Sequence, residues 1–215
     1  MSTITLSRVK LRWHWARLAA RFDVVCFLLI PALLFPQIAT GQGSNQGETA
    51  VVFFADPGVE AAVWPSLVGA FHEEVMREES EYPLPEDVAV VRASSFAKGQ
   101  EFAQIIQVHL IGRCDVVQQV QRALPRGPLG WVLDISGEIQ PFVYVDCARL
   151  AQFLDPTTLG MDAAQRKEAM ARAISRVAIH EWIHIDAQTV RHESRGIRRA
   201  ELSGSDLTGG SPGGR

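Results

Sequence analysis

Apolar positions along the chain change period several times, and each change predicts an element. Residues 51–54, Val-Val-Phe-Phe, form a short β-favouring run that Asp56-Pro57-Gly58 ends. Over residues 59–79 the period becomes helical. Val63, Leu67, Ala70, Phe71 and Val75 recur at threes and fours, while Glu73, Glu74, Glu78 and Glu79 form what reads as a solvated face. Strands are predicted at residues 88–92, 105–111, 129–134 and 141–146, separated by turn-rich pieces such as Pro125-Arg126-Gly127-Pro128. Residues 161–186 then predict a long helix with Asp162 as N-cap and Ala173, Ile174, Val177, Ala178 and Ile185 as its buried stripe. Residues 203–215, rich in Gly and Ser, are expected to fray.

The amino terminus reads as an address. Five basic side chains (Arg8, Lys10, Arg12, Arg17, Arg21) precede a nearly uninterrupted apolar run at residues 24–39, which gives way to Thr-Gly-Gln-Gly-Ser. This is the layout of a secretory signal peptide at residues 1–41. The 16-residue run, broken by Pro31 and Pro36, is shorter than the roughly 20 residues of a membrane-spanning helix. Ala39-Thr40-Gly41 offers small residues for cleavage, so a mature chain from Gln42 is expected in the periplasm or outside the cell, without stable membrane insertion. An uncleaved signal-anchor is the alternative, and Cys26 is read as part of the leader.

Composition narrows the function classes. The chain has 215 residues, 47% of them hydrophobic, with 21 Lys plus Arg against 24 Asp plus Glu. Residues 42–215 hold 16 basic and 23 acidic side chains, a net charge of −7. A domain that negative has no general attraction for phosphate backbones, so nucleic-acid binding is not expected. About 170 residues suit one core, so residues 42–202 are assigned to a single domain. Export exposes Cys114 and Cys147 to an oxidising compartment, and a disulfide between them is the favoured reading over a nucleophilic thiol. No phosphate-binding Gly-rich loop, G-x-S-x-G elbow or C-x-x-C pair is present.

The chemistry lies near the end of the long helix, in His180-Glu181-Trp182-Ile183-His184, an H-E-x-x-H sequence. One helical turn separates the histidines, so both imidazoles project from one face and can grip one ion, with zinc expected because it accepts neutral imidazole in a tetrahedral site. Glu181, one residue round the helix, is placed to act as general base. A third ligand is needed, and His192 is the leading candidate, with Glu193 as the alternative. In a straight helix His192 would stand about 12 Å beyond His184, too far to share an ion held at about 2.0–2.1 Å. The chain must therefore bend between Asp186 and His192, although Gln188-Thr189-Val190 holds neither Gly nor Pro. His72 and His109 lack comparable partners and are read as structural.

From His180 to Leu207 the sequence resembles the zincin metallopeptidases, and more closely their metzincin-like branch. It is similar to the active-site region of short exported bacterial proteins with H-E-x-x-H, seven residues, a third His and a Gly-Ile-Met turn. The resemblance implies an α+β zincin-like domain with a mixed sheet, one zinc ion held by His180, His184 and His192, and Glu181 as general base. It also implies that residues 141–146 form the edge strand beside which a peptide substrate lies. Three departures stand out. The gap between second and third His is eight residues and not six, Ala187 and Gln188 replace the bend glycine, and Gly196-Ile197-Arg198 replaces Gly-Ile-Met. A buried arginine needs a carboxylate partner; otherwise Arg198 points outward or towards a substrate carbonyl.

The leading reading is thus an exported zinc-dependent peptidase acting on peptide or protein substrates. The alternatives are a catalytically inactive zincin-like binding module and a metal-free structural protein anchored in the envelope.

Overall fold

The protein is represented by a computed structural model that describes residues 48–78, 82–85, 87–96, 100–114 and 127–209. The expected leader at 1–41, Glu79 and the end of the tail lie outside these residues. Five strands form one mixed sheet: β1 (Thr49–Phe54), β2 (Val88–Arg92), β3 (Gln104–Ile111), β4 (Gly130–Ile135) and β5 (Glu138–Asp146), in the order β2-β1-β3-β5-β4. The first four in that order run parallel, and β4 pairs antiparallel with β5 at the edge. Helix α1 (Pro57–Glu78) carries the crossover from β1 to β2. Its first residue is a proline, favoured there because that N–H has no partner within the helix. β4 and β5 are joined through Ser136 and Gly137, both at positive φ, as a tight primed hairpin turn requires.

The predicted apolar stripes become the core. Val63, Leu67, Phe71 and Val75 of α1 face Val51 and Phe53 of β1, together with Ile106, Val108, Val143 and Val145. The long helix α3 (Ala163–Ala187) completes this layer. Phe53 meets Phe71 edge-on at 5.7 Å and Phe71 stacks on Trp182 of α3 at 6.4 Å, so the sheet, α1 and α3 share one aromatic chain. Asp162 caps α3 as expected, and Gln165 completes a capping box. On the opposite sheet face Phe54, His109, Tyr144 and Trp131 stack in sequence across four strands. The ring nitrogens of His72 lie 2.9 and 3.0 Å from the carbonyls of Val68 and Val88, joining α1 to β2.

Several sequence expectations change. Glu74 is not on a solvated face: its carboxylate is fully buried, 2.7 Å from Arg77 and 2.8 Å from Arg176 of α3. Glu78 is buried as well. Periodicity counts charge as surface and does not register a partner 102 residues away. Residues 141–146 are not an edge strand, because β5 lies between β3 and β4; the edge beside α3 is β4. Two short helices are additional. α2 (Cys147–Leu154) starts directly from β5 with Asp146 as N-cap. α4 (Gly204–Thr208) forms where fraying was expected, held by a Ser203–Asp206 capping box and by Leu207, which is wholly buried.

Cys114 and Cys147 form the expected disulfide, tying the end of β3 to the start of α2 over a separation of 33 residues. No helix among the described residues is long and apolar enough to cross a membrane. Replacing both cysteines by Ser should lower unfolding free energy by about 2–4 kcal/mol in a urea titration, chiefly by releasing the unfolded chain. An unchanged midpoint would show that the cross-link contributes nothing.

Candidate metal centre

Helix α3 carries His180 and His184 in its last two turns, one turn apart. It stops at Gln188, which adopts the left-handed conformation with φ 46°. For a residue with a Cβ this costs on the order of 1–3 kcal/mol. Side-chain bonds offset it. The Gln188 amide nitrogen donates to the carbonyls of Ile185 at 2.7 Å and Ile139 at 3.0 Å, and its oxygen accepts from the Ile139 N–H at 3.0 Å. The required bend is thus made without glycine, and it returns the chain so that His192 faces the helix.

The three Nε2 atoms then converge, 3.1 Å apart for His180 and His184 and 3.3 Å for each of these with His192. Nitrogens bound tetrahedrally at about 2.0–2.1 Å from one ion stand roughly 3.3 Å apart, so the spacing fits. The opposite ring atoms strengthen the case. His180 Nδ1 donates to the Ile197 carbonyl at 2.6 Å and His184 Nδ1 to the Thr189 carbonyl at 2.6 Å. With those protons committed, both Nε2 atoms present lone pairs to each other, an unfavourable arrangement without a cation between them. Protonating a ring would relieve it, but burial opposes that. It pushes the His180 pKa down to about 4 against the opposing effect of the Ile197 carbonyl, and lowers that of His184 for the same reason. Both rings are therefore neutral, the ligand form, at neutral pH. His180, His184 and His192 form a group that could hold a metal ion.

Glu193, the other candidate ligand, stands outside this group. Its carboxylate pairs with Arg198 at 2.5 Å, and its N–H donates to the Arg198 carbonyl at 2.9 Å. Arg198 therefore has the carboxylate it needs, and its guanidinium also lies over the Tyr82 ring, 5.5 Å from the centroid. It is Ile197 that is buried in this turn, with its carbonyl orienting His180. His72 and His109 lie elsewhere in the fold, His72 between α1 and β2 and His109 in the aromatic stack on the sheet.

Beside the histidines opens a cleft of about 340 Å³, lined on one side by Leu129, Gly130 and Val132 and on the other by His180, Glu181 and His184. Glu181 is buried, and burial pushes its pKa up to about 7. Gly130 lets the edge strand approach. A Cβ there would sit 2.5 Å from Val177 Cγ1 and 3.3 Å from Glu181 Cγ.

Comparison with protein-family models, curated proteins and solved structures finds no match for this chain.

Sequence reasoning finds the three histidines and Glu181 and misses Gln188, Gly130 and the carbonyls of Thr189 and Ile197. Backbone acceptors leave no trace in residue type. The Gly130 close approach also has a measurable consequence. Gly130→Ala should cost about 1–3 kcal/mol by overpacking, read from urea unfolding, and Val177→Ala in the same chain should restore part of it. A Gly130→Ala chain as stable as the parent would contradict so close an approach.

Proposed function

We propose that the protein is an exported, zinc-dependent peptidase of the zincin type, in which His180, His184 and His192 hold zinc and Glu181 is the general base. The observation that carries this reading is the convergence of three imidazole nitrogens beside a buried carboxylate, on a cleft walled by an edge strand. When bound, zinc supplies Lewis acidity to a substrate carbonyl and to water.

The remaining work belongs to the chain. Glu181 accepts a proton from the attacking water and returns it to the leaving nitrogen. Burial raises the Glu181 carboxyl above the ordinary carboxylate range and so makes it a stronger proton acceptor. Strand β4, antiparallel and at the sheet edge among the described residues, has backbone groups with which an extended peptide can pair. Leu129, Val132, Val177 and Leu202 give the cleft an apolar lining that suits an apolar side chain of a substrate. The disulfide accords with an oxidising compartment.

The Arg198–Glu193 pair, where the zincin-like pattern places methionine, favours a second reading: a non-catalytic module that keeps the metal and binds a partner in the cleft. A diverse peptide library incubated with the zinc-loaded full chain and read by mass spectrometry separates the two. Cleavage is expected, and Glu181→Gln should keep zinc while lowering the rate by about 10²-fold or more. Unchanged hydrolysis in Glu181→Gln would remove Glu181 from the mechanism. Retained zinc with no cleavage by the parent chain, while a peptide is still bound, would select the binding module.

A further inference from the structure

We infer that Gln188 is a positioning residue of the metal centre, acting as a side-chain substitute for a missing stretch of β-ladder and thereby setting two of the three ligands. The inference rests on the reading of the three histidines as a metal site and extends it to a residue that touches no ligand nitrogen.

Strand β5 pairs with β3 over Phe142–Asp146, and Ile139 lies before that stretch. There the Gln188 amide takes both backbone groups of Ile139, accepting from its N–H and donating to its carbonyl, each at 3.0 Å. A primary amide presents the same donor and acceptor pair as a peptide group, so this contact reproduces one rung of a sheet. The same nitrogen donates to the Ile185 carbonyl at 2.7 Å, in the last turn of α3. One side chain therefore fixes the end of the histidine-bearing helix to the sheet.

The path of the chain beyond Gln188 depends on that fixation. The left-handed turn points the Thr189 N–H at the His184 carbonyl, at 3.2 Å, and the Thr189 carbonyl at His184 Nδ1, at 2.6 Å. The second of these bonds sets the tautomer and plane of the His184 ring, leaving Nε2 for the ion. Four residues beyond Gln188, His192 brings its own Nε2 within 3.3 Å of the other two. A glycine would reach the same φ with no Cβ penalty but would leave the turn unattached, whereas glutamine tolerates the turn because it is clamped.

The test uses the full chain with zinc alone, its affinity read by competition with a chromophoric chelator. Gln188→Gly relieves the backbone and removes the clamp. Gln188→Glu keeps length and one acceptor but cannot donate to Ile139 and Ile185. Both should weaken zinc binding about tenfold or more, the range seen when groups supporting metal ligands are removed. Cobalt substituted for zinc should lose intensity in its visible bands as tetrahedral geometry relaxes. In a His192→Ala background Gln188→Gly should have a clearly smaller effect on affinity, because one of the ligands it positions is already gone. A merely structural role would not produce that coupling. Zinc affinity in Gln188→Gly equal to the parent's, or the same fold-loss in both backgrounds, would overturn the inference while leaving the metal site intact. A folded parent chain that binds no zinc would instead overturn the metal-binding reading and this inference with it.

Discussion

Two histidine side chains one helical turn apart have their outer ring nitrogens bonded to backbone carbonyls, which forces the inner nitrogens to face each other 3.1 Å apart. Two backbone features serve that arrangement. The Ile197 carbonyl requires the turn at 196–198 to fold back against α3, and the Thr189 carbonyl requires the helix to end in a left-handed residue. Burial keeps the rings neutral, so the electrostatic conflict is left for a cation to resolve. His192 then adds a third nitrogen at a distance consistent with tetrahedral geometry.

The supporting frame is built from interactions between distant segments. Glu74 of α1 holds Arg77 and Arg176, and Arg176 continues to the Asp206 carbonyl of α4, so that α1, α3 and α4 are fastened by charges gathered around one buried carboxylate. Asp206 in turn pairs with Arg199 at 2.7 Å, next to the turn that orients His180. Removing Arg176 is costly because it leaves the buried Glu74 carboxylate with only the exposed Arg77 as partner. Helix α4, only five residues long, thereby stands close to the candidate metal centre in structural consequence.

Helix α3, its Asp162 cap, the α1 stripe and the pair His180 and His184 are legible in the sequence because each is signalled by local spacing: 3.6-residue periodicity, a capping side chain, or two ligands four apart; His192 follows only from the need for a third ligand. Strand order is not. Residues 129–134 and 141–146 carry similar β-favouring patterns, and which of them forms the edge depends on pairing between distant segments, so the edge falls to β4 and not to β5. The burial of Glu74 escapes for the same reason, its Arg176 partner being remote in sequence. The short helix α2 is hidden because Asp146 reads equally well as the last strand residue and as an N-cap. In α4 the Ser203-x-x-Asp206 capping signal is present but submerged in a Gly and Ser background. Gln188 illustrates a further limit, since a bend normally marked by glycine is produced here by a side chain bonded to a strand 49 residues away.

If three imidazole nitrogens, and no other protein atoms, hold one zinc ion, X-ray absorption at the zinc edge of the zinc-loaded full chain reads it directly. One zinc per chain is expected, with three imidazole nitrogens at about 2.0–2.1 Å and no sulfur, and with one imidazole fewer in His192→Ala. A folded chain without zinc, or a spectrum requiring fewer than three imidazoles, would contradict this coordination.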